Sequence, residues 1–116
     1  MNRLLSVEDS ADAAVIRFVP RPVYLDAANA EMMADSLTAH LDGQKATHLV
    51  FDFGPVEFVT SEALGVLVRL HKRVAATGGF LTLLNLSEGV YEVFEVTKLT
   101  RILRVHRRDG PDYSMA

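Results

Sequence analysis

The side chains that offer chemistry in this 116-residue chain concentrate in one short segment, residues 56–65. Two adjacent hydroxyls, Thr60 and Ser61, stand there between an apolar stretch and a helical pattern. Ser61 is predicted to cap that helix, because a serine oxygen can accept a hydrogen bond from an unpaired backbone N–H of the first turn. A phosphate on the same hydroxyl would also be stabilised, since those amides and the helix dipole favour negative charge. The segment therefore predicts either a structural cap or a phosphorylation site.

Catalytic and metal-binding chemistry finds little support elsewhere in the chain. The four histidines lie on separate predicted elements without metal-ligand spacing, and there is no cysteine. Ser61 lies outside any GxSxG sequence and has no base beside it that would activate a nucleophile. Asp52 ends a predicted strand, where α/β proteins often bind ligands, although a solvated loop acid is the simpler interpretation. We therefore expect no enzyme activity, metal or cofactor.

The charge and hydropathy patterns exclude further classes of partner. Residues 1–62 carry ten acidic and four basic side chains, and residues 63–116 carry five acidic and eight basic ones, for a net charge of −3. The basic half lacks the interleaved aromatic residues of a nucleic-acid binder. No apolar run approaches the roughly 20 residues that span a bilayer, and early acids interrupt any signal peptide. We expect a cytoplasmic protein that binds neither nucleic acid nor membrane.

Strand and helix patterns alternate along the chain and position segment 56–65. Strands are predicted at 4–7, 13–19, 48–53, 80–86 and within 99–105, and helices at 27–41, after Ser61 and from Ser87 to about Thr97. Asp26 is expected to cap the first helix, and Gly78-Gly79 to end the second. Strands separated by helices imply right-handed crossovers. The fold class is therefore α/β: one small domain over 1–108, with a mixed sheet of four to five strands and helices mainly on one face, and a flexible tail at 109–116.

Several segments, in this order and spacing, resemble the STAS domain, which is the module of anti-sigma factor antagonists and of the cytoplasmic tails of sulfate transporters. The family pattern has a strand ending in Asp, a V-x-F-[IVM]-D-S-[ST]-G-L-G junction, a Gly-Gly-like helix stop and a later T-G-L-like turn. The matching segments are Leu25-Asp26-Ala27-Ala28-Asn29-Ala30, Leu49 to Phe53, Val56 to Gly65, Gly78-Gly79, Leu81 to Leu86, and Val96-Thr97-Lys98-Leu99. The resemblance covers about Val7 to His106.

The resemblance implies a function and a site. In antagonist members, the serine that falls on Ser61 is phosphorylated by a partner kinase. The unphosphorylated protein binds that anti-sigma factor serine kinase, phosphate blocks the binding, and a serine phosphatase is a further expected partner. The implied partner-binding residues are Asp26, Phe58, Val59, Thr60, Ser61, Glu62, Leu64 and Gly65.

The junction departs from the family pattern at three positions. Thr60 replaces Asp, Glu62 replaces Ser or Thr, and Ala63 replaces Gly, which removes easy access to positive φ. Thr60 is therefore a second candidate phosphoacceptor. Two alternatives stay open: an interaction or scaffold domain without phosphorylation and, less favoured, a small-molecule-binding α/β domain. An edge strand near the N-terminus also leaves open a homodimer.

Overall fold

The computed structural model describes residues 5–9, 13–18, 23–41 and 48–108. Within these ranges the chain forms seven strands, three α-helices and one 3₁₀ turn. The strands are β1 Leu5–Asp9, β2 Ala13–Phe18, β3 Val23–Leu25, β4 His48–Asp52, β5 Val56–Val59, β6 Leu81–Leu86 and β7 Arg104–Arg107. The helices are α1 Ala27–Leu41, α2 Ser61–Ala76 and α3 Glu88–Val96, and the 3₁₀ turn is Leu99–Arg101. The predicted tail at 109–116 lies outside the described residues.

A five-stranded mixed sheet forms the centre of the domain, in the order β1-β2-β4-β6-β7. β1 and β2 pair antiparallel, and the other neighbours pair parallel. A parallel neighbour requires a crossover connection, and α1, α2 and α3 lie in the three crossovers. The predicted edge strand near the N-terminus and the two predicted central strands, β4 and β6, are confirmed.

One face of this sheet is buried and the other is partly exposed. The buried face is apolar on each inner strand and includes Ile16, Phe51 and Leu83, all fully buried. The alternate residues Val15, Val50 and Leu84 are only partly buried, so the helices cover mainly one face, as predicted. Aromatic rings from β2, β4 and α3 meet in this core. They pack edge to face around Phe53, the residue that follows β4.

Helix α1 begins with the predicted cap. The Asp26 carboxylate accepts a hydrogen bond from the Asn29 amide at 3.0 Å, and the Asn29 side-chain oxygen accepts one from the Asp26 amide at 2.8 Å. The Asn29 side-chain amide also donates to the Tyr24 carbonyl at 2.8 Å. These reciprocal bonds satisfy orphan donors at the helix start and tie it to β3.

A second sheet, which the sequence patterns did not predict, consists of β3 and β5 paired parallel. Val23 opposes Val56 and Leu25 opposes Val59, and all four side chains are buried. The register shifts between these pairs, so that Glu57 is one additional residue on β5. Strict alternation would send residues three apart to opposite faces, and this bulge instead lets both β5 valines point inward.

Helix α2 is capped by Thr60, which corrects the prediction that Ser61 is the cap. Thr60 has extended backbone angles (φ −84°, ψ 164°), and its hydroxyl accepts a hydrogen bond from the Ala63 amide at 3.2 Å. Its own amide donates to the Leu25 carbonyl at 3.0 Å and holds the residue in line with the small sheet. Ser61 is therefore the first helical residue, not the residue before it.

The buried stripe of α2 also differs from the predicted one. The helical spacing of apolar residues after Ser61 predicts a buried stripe of Leu64, Leu67, Val68, His71, Val74 and Ala75. The structure instead buries Ala63, Leu64, Val66, Leu67, Leu70 and Val74, leaves Val68 and His71 partly buried, and exposes Ala75. The buried face of α2 is rotated about the helix axis relative to the predicted one, because α2 packs against α1 as well as the sheet. The side chains of Val66 and Leu70 line the α1–α2 contact.

Two left-handed residues end helices in this fold. Gly78 (φ 89°) follows α2, and the Gly79 amide donates to the Val74 carbonyl at 3.1 Å, which confirms the predicted helix stop. Lys98 (φ 63°) follows α3 at the position of the family glycine, although a side chain disfavours this conformation.

Replacing the cap tests its assignment. Thr60→Ala is expected to lower the free energy of unfolding by about 1 kcal/mol, because one amide of the first turn loses its acceptor. Ser61→Ala, at the first helical position, is expected to cost less than about 0.5 kcal/mol. Urea unfolding followed by circular dichroism measures both values, and a larger loss for Ser61→Ala would restore serine as the cap.

Relieving the left-handed lysine should stabilise the domain. Lys98→Gly is expected to raise the free energy of unfolding by about 0.5–1 kcal/mol. Glycine removes the steric cost of the left-handed conformation, roughly 1–2 kcal/mol, but it also increases the entropy of the unfolded chain, which offsets part of that gain. Thr97→Gly is the matched control, because Thr97 (φ −83°) needs no relief and its hydroxyl donates to the Val93 carbonyl. The control should be destabilising, and a loss for both variants would contradict the assignment.

Candidate functional site

The candidate site lies where two strand-to-helix junctions stand side by side. β3 runs into α1 through Asp26, and β5 runs into α2 through Thr60. Because β3 and β5 are paired and parallel, the two helices start at the same end of the small sheet. The bond from the Thr60 amide to the Leu25 carbonyl joins the two junctions directly. The caps and positive dipole ends of α1 and α2 are therefore neighbours.

The two candidate hydroxyls have different environments. The Thr60 side chain is partly buried and its oxygen is engaged as the cap. Ser61 is exposed on the first turn of α2. Glu62, also exposed, follows it and is the acidic residue of that turn. The residue that carries the serine hydroxyl is therefore exposed to solvent, whereas the threonine hydroxyl is part of the helix cap.

Val59 and Leu64 support this turn from below. Both are only 6% exposed, and they occupy the positions directly before the cap and four residues into the helix, where a hydrophobic staple forms. Ala63 is fully buried and helical, so the position where the family has glycine requires no positive φ here and accepts alanine. Gly65 is exposed one turn after Ser61, and an added Cβ there would meet nothing within 4 Å.

The exposed part of the site is aromatic and acidic. Phe58 is 56% exposed, and Tyr24, its direct neighbour across the small sheet, is 55% exposed. Asp26, Glu57 and Glu62 are exposed around them. The sequence patterns did not assign Tyr24 to the site. Its Val-Tyr-Leu segment, bounded by proline and aspartate, is typical of a short strand and is the signal that would have placed it there.

A groove of about 250 Å³ lies between α1 and α2. Its charged lining consists of Glu31 and Asp35 from α1 and Arg69 and Arg73 from α2. Arg69 donates to Glu31 at 2.5 Å, so that part of this charge is neutralised across the groove. Among the described residues, no cluster of three or more histidines or acids could hold a metal ion.

Asp52, the other acidic candidate, holds a turn. Its carboxylate oxygen accepts hydrogen bonds from the Gly54 amide at 2.9 Å and the Asn85 side-chain amide at 3.1 Å. These bonds fix the end of β4 against the end of β6. Asp52 is therefore a partly buried structural residue that ends β4, and not the solvated loop acid of the sequence-based interpretation. None of the helices in the described ranges is both long and apolar enough to cross a membrane.

Comparison with known sequences identifies the family. The family model of the STAS domain matches residues 9–109. BtrV of Bordetella bronchiseptica, a protein named as an anti-sigma factor antagonist, is 32% identical over 82 residues, which are 70% of this chain and 69% of BtrV. A Thermotoga neapolitana relative with the same designation is 39% identical over 51 residues. That match, like one to Thermotoga maritima, spans 45% of the relative's length, which is less than half of it.

Solved structures share the fold. A STAS domain protein from Planctomyces limnophilus superposes with a TM-score of 0.77 at 27% identity and covers 89% of each chain. An anti-sigma factor antagonist structure from Thermotoga maritima gives 0.76 at 24% identity, over 96% of this chain and 89% of the other. The unphosphorylated form of the anti-sigma factor antagonist SpoIIAA gives 0.70 at 19% identity, over 87% and 86%. Since the family model spans nearly the whole length and the fold is that of solved STAS structures, the chain belongs to the STAS domain family.

Proposed function

We propose that this chain is an anti-sigma factor antagonist-like interaction module. It binds an anti-sigma factor serine kinase through the surface around Ser61, and phosphorylation of Ser61 switches the binding off. The observation that carries the proposal is that the two hydroxyl residues of the junction have different environments: Thr60 caps α2, and Ser61 is exposed on its first turn. A relative of the same fold, SpoIIAA, has been solved in phosphorylated and unphosphorylated forms. The module itself has no catalytic role.

The position of Ser61 favours a switch that works by charge rather than by refolding. A phosphate adds about two negative charges and is compatible with the start of a helix, so α2 stays intact. The same charge enters a surface that already carries Asp26, Glu57 and Glu62. A partner that accommodates the neutral hydroxyl would then face added bulk, desolvation and repulsion.

Ser61, rather than Thr60, is the proposed acceptor. Phosphorylating Thr60 would require its partly buried oxygen to leave the Ala63 amide, which would open the first turn of α2. A serine phosphatase removes the phosphate and restores binding. The protein acts in the cytoplasm, where ATP is available to the kinase. A scaffold domain without phosphorylation is the second candidate, and the departures at Thr60 and Glu62 from the family junction favour it.

The modification can be tested directly. The chain is incubated with ATP and the purified anti-sigma factor serine kinase of the same genome, and tryptic peptides are analysed by mass spectrometry. We expect one phosphate, on Ser61, and none in Ser61→Ala. Modification of Thr60, or no modification at all, would contradict the switch.

Binding to the same kinase separates the two candidate functions. Ser61→Asp is expected to weaken the affinity at least tenfold and Ser61→Ala to leave it nearly unchanged, because only the aspartate adds charge to the acidic surface. Isothermal titration calorimetry measures both dissociation constants. Equal affinities for the two variants would favour the scaffold domain.

Gly65 offers a test in which stability and binding change in opposite directions. Ser61 and Gly65 are four residues apart and share a face of α2, so Gly65 keeps the space beside the serine clear. Gly65→Ala is expected to stabilise the fold by about 0.5–1 kcal/mol and to weaken kinase binding several-fold. Gly89→Ala in α3 is the control, since it is exposed and equally open. It should leave binding unchanged, and an equal loss of binding in both variants would contradict the role of Gly65.

A further inference from the structure

The small sheet exposes two large aromatic side chains. Tyr24 on β3 and Phe58 on β5 are direct cross-strand neighbours, and 55% and 56% of their respective surfaces remain exposed. Residues opposite each other in a ladder project from the same face. The two rings therefore project from the same exposed face of the small sheet, and we call them the Tyr24–Phe58 pair.

The outward position of Phe58 depends on the bulge. If β5 alternated strictly from Val56, Phe58 would point inward and Val59 outward. The additional residue Glu57 reverses this, so that Val59 fills the core and a large aromatic ring enters solvent. A phenylalanine that is turned out of the core next to an exposed tyrosine suits a contact surface, because aromatic residues are enriched at the centres of interfaces.

The charge around the pair narrows the class of partner. Asp26, Glu57 and Glu62 are exposed beside it. Such a rim repels anionic lipid headgroups and phosphodiester backbones, and it attracts a protein face that carries basic side chains.

The pair is also continuous with the site around Ser61. Phe58 precedes Ser61 by three residues, Tyr24 precedes Asp26 by two, and the bond from the Thr60 amide to the Leu25 carbonyl fixes the two segments together. A partner that covers the first turn of α2 lies directly beside the aromatic rings.

We propose that the Tyr24–Phe58 pair is the apolar anchor of the docking surface, and that its occupant is a protein face with an apolar pocket bordered by lysine or arginine. This inference rests on the proposed function and deepens it, because it names the chemistry of the kinase face. The aromatic rings supply affinity and the acidic rim supplies orientation and rate of association. Phosphate on Ser61 then acts at the edge of the same surface.

The test uses the full chain and the purified anti-sigma factor serine kinase of the same genome. Tyr24→Thr and Phe58→Thr keep a strand-forming residue and remove the ring. Each is expected to weaken the affinity at least tenfold in calorimetry, while Tyr24→Phe and Phe58→Tyr retain it. Val96→Thr is the control, because Val96 is 73% exposed on α3 and lies outside the site. Urea unfolding of each variant verifies that the fold persists.

A second measurement tests the basic rim of the partner. The association rate of the native chain is expected to fall as salt is raised, and Glu62→Gln is expected to reduce that dependence. An association rate that does not change with salt would overturn the charge assignment.

The outcomes distinguish this inference from the function it rests on. If Ser61→Asp abolishes kinase binding while Tyr24→Thr and Phe58→Thr bind like the native chain, the anchor is wrong and the switch stands. If the native chain does not bind the kinase, the proposed function fails and the anchor fails with it. Ring-dependent sedimentation with phosphatidylcholine–phosphatidylglycerol vesicles would assign the pair to a membrane and also overturn the inference.

Discussion

The parallel pairing of β3 with β5 is the interaction on which the site depends. Two backbone hydrogen bonds, from Val23 to Pro55 at 2.9 Å and from Thr60 to Leu25 at 3.0 Å, join segments that are far apart in sequence. Each strand runs directly into a helix, so the pairing also brings together the starts of α1 and α2. Without it, Ser61 would lie on an ordinary helix start, with no adjoining surface to extend its contact.

The core makes this pairing rigid. The inward residues of both short strands are fully or nearly fully buried, and α3 packs against β5. Backbone groups at the two helix starts are engaged by Asp26, Asn29 and Thr60. The surface above them is polar, acidic and aromatic, and the layer below is apolar. A phosphate on a surface held in this way would act through the electrostatic potential, because a close-packed apolar layer resists rearrangement.

Much of the main architecture could be predicted from the sequence because the signals are local. The strands β2, β4 and β6 can be predicted from their apolar, β-branched and aromatic composition. Gly78 follows the last turn of α2 and adopts the left-handed conformation that ends the helix. Asp26 and Ser87 are polar residues placed directly before helical patterns, and each accepts a hydrogen bond from the amide three residues later. In each case the residue and its partner are neighbours in sequence, so that no long-range contact is needed to select the outcome.

The sequence by itself determined the family, the alternation of strands and helices, and the location of the candidate site at the junction of residues 56–65. Only the tertiary structure decided which hydroxyl caps α2 and which is exposed, because a bond to the distant Leu25 carbonyl holds Thr60 extended. It also decided that Phe58 faces outward beside Tyr24, since the bulge at Glu57 breaks the period that a pattern would follow. The physical reason is the same for both. A three- or four-residue strand has too few residues to show a period, and its register is selected by the strand it pairs with and by the core beneath it.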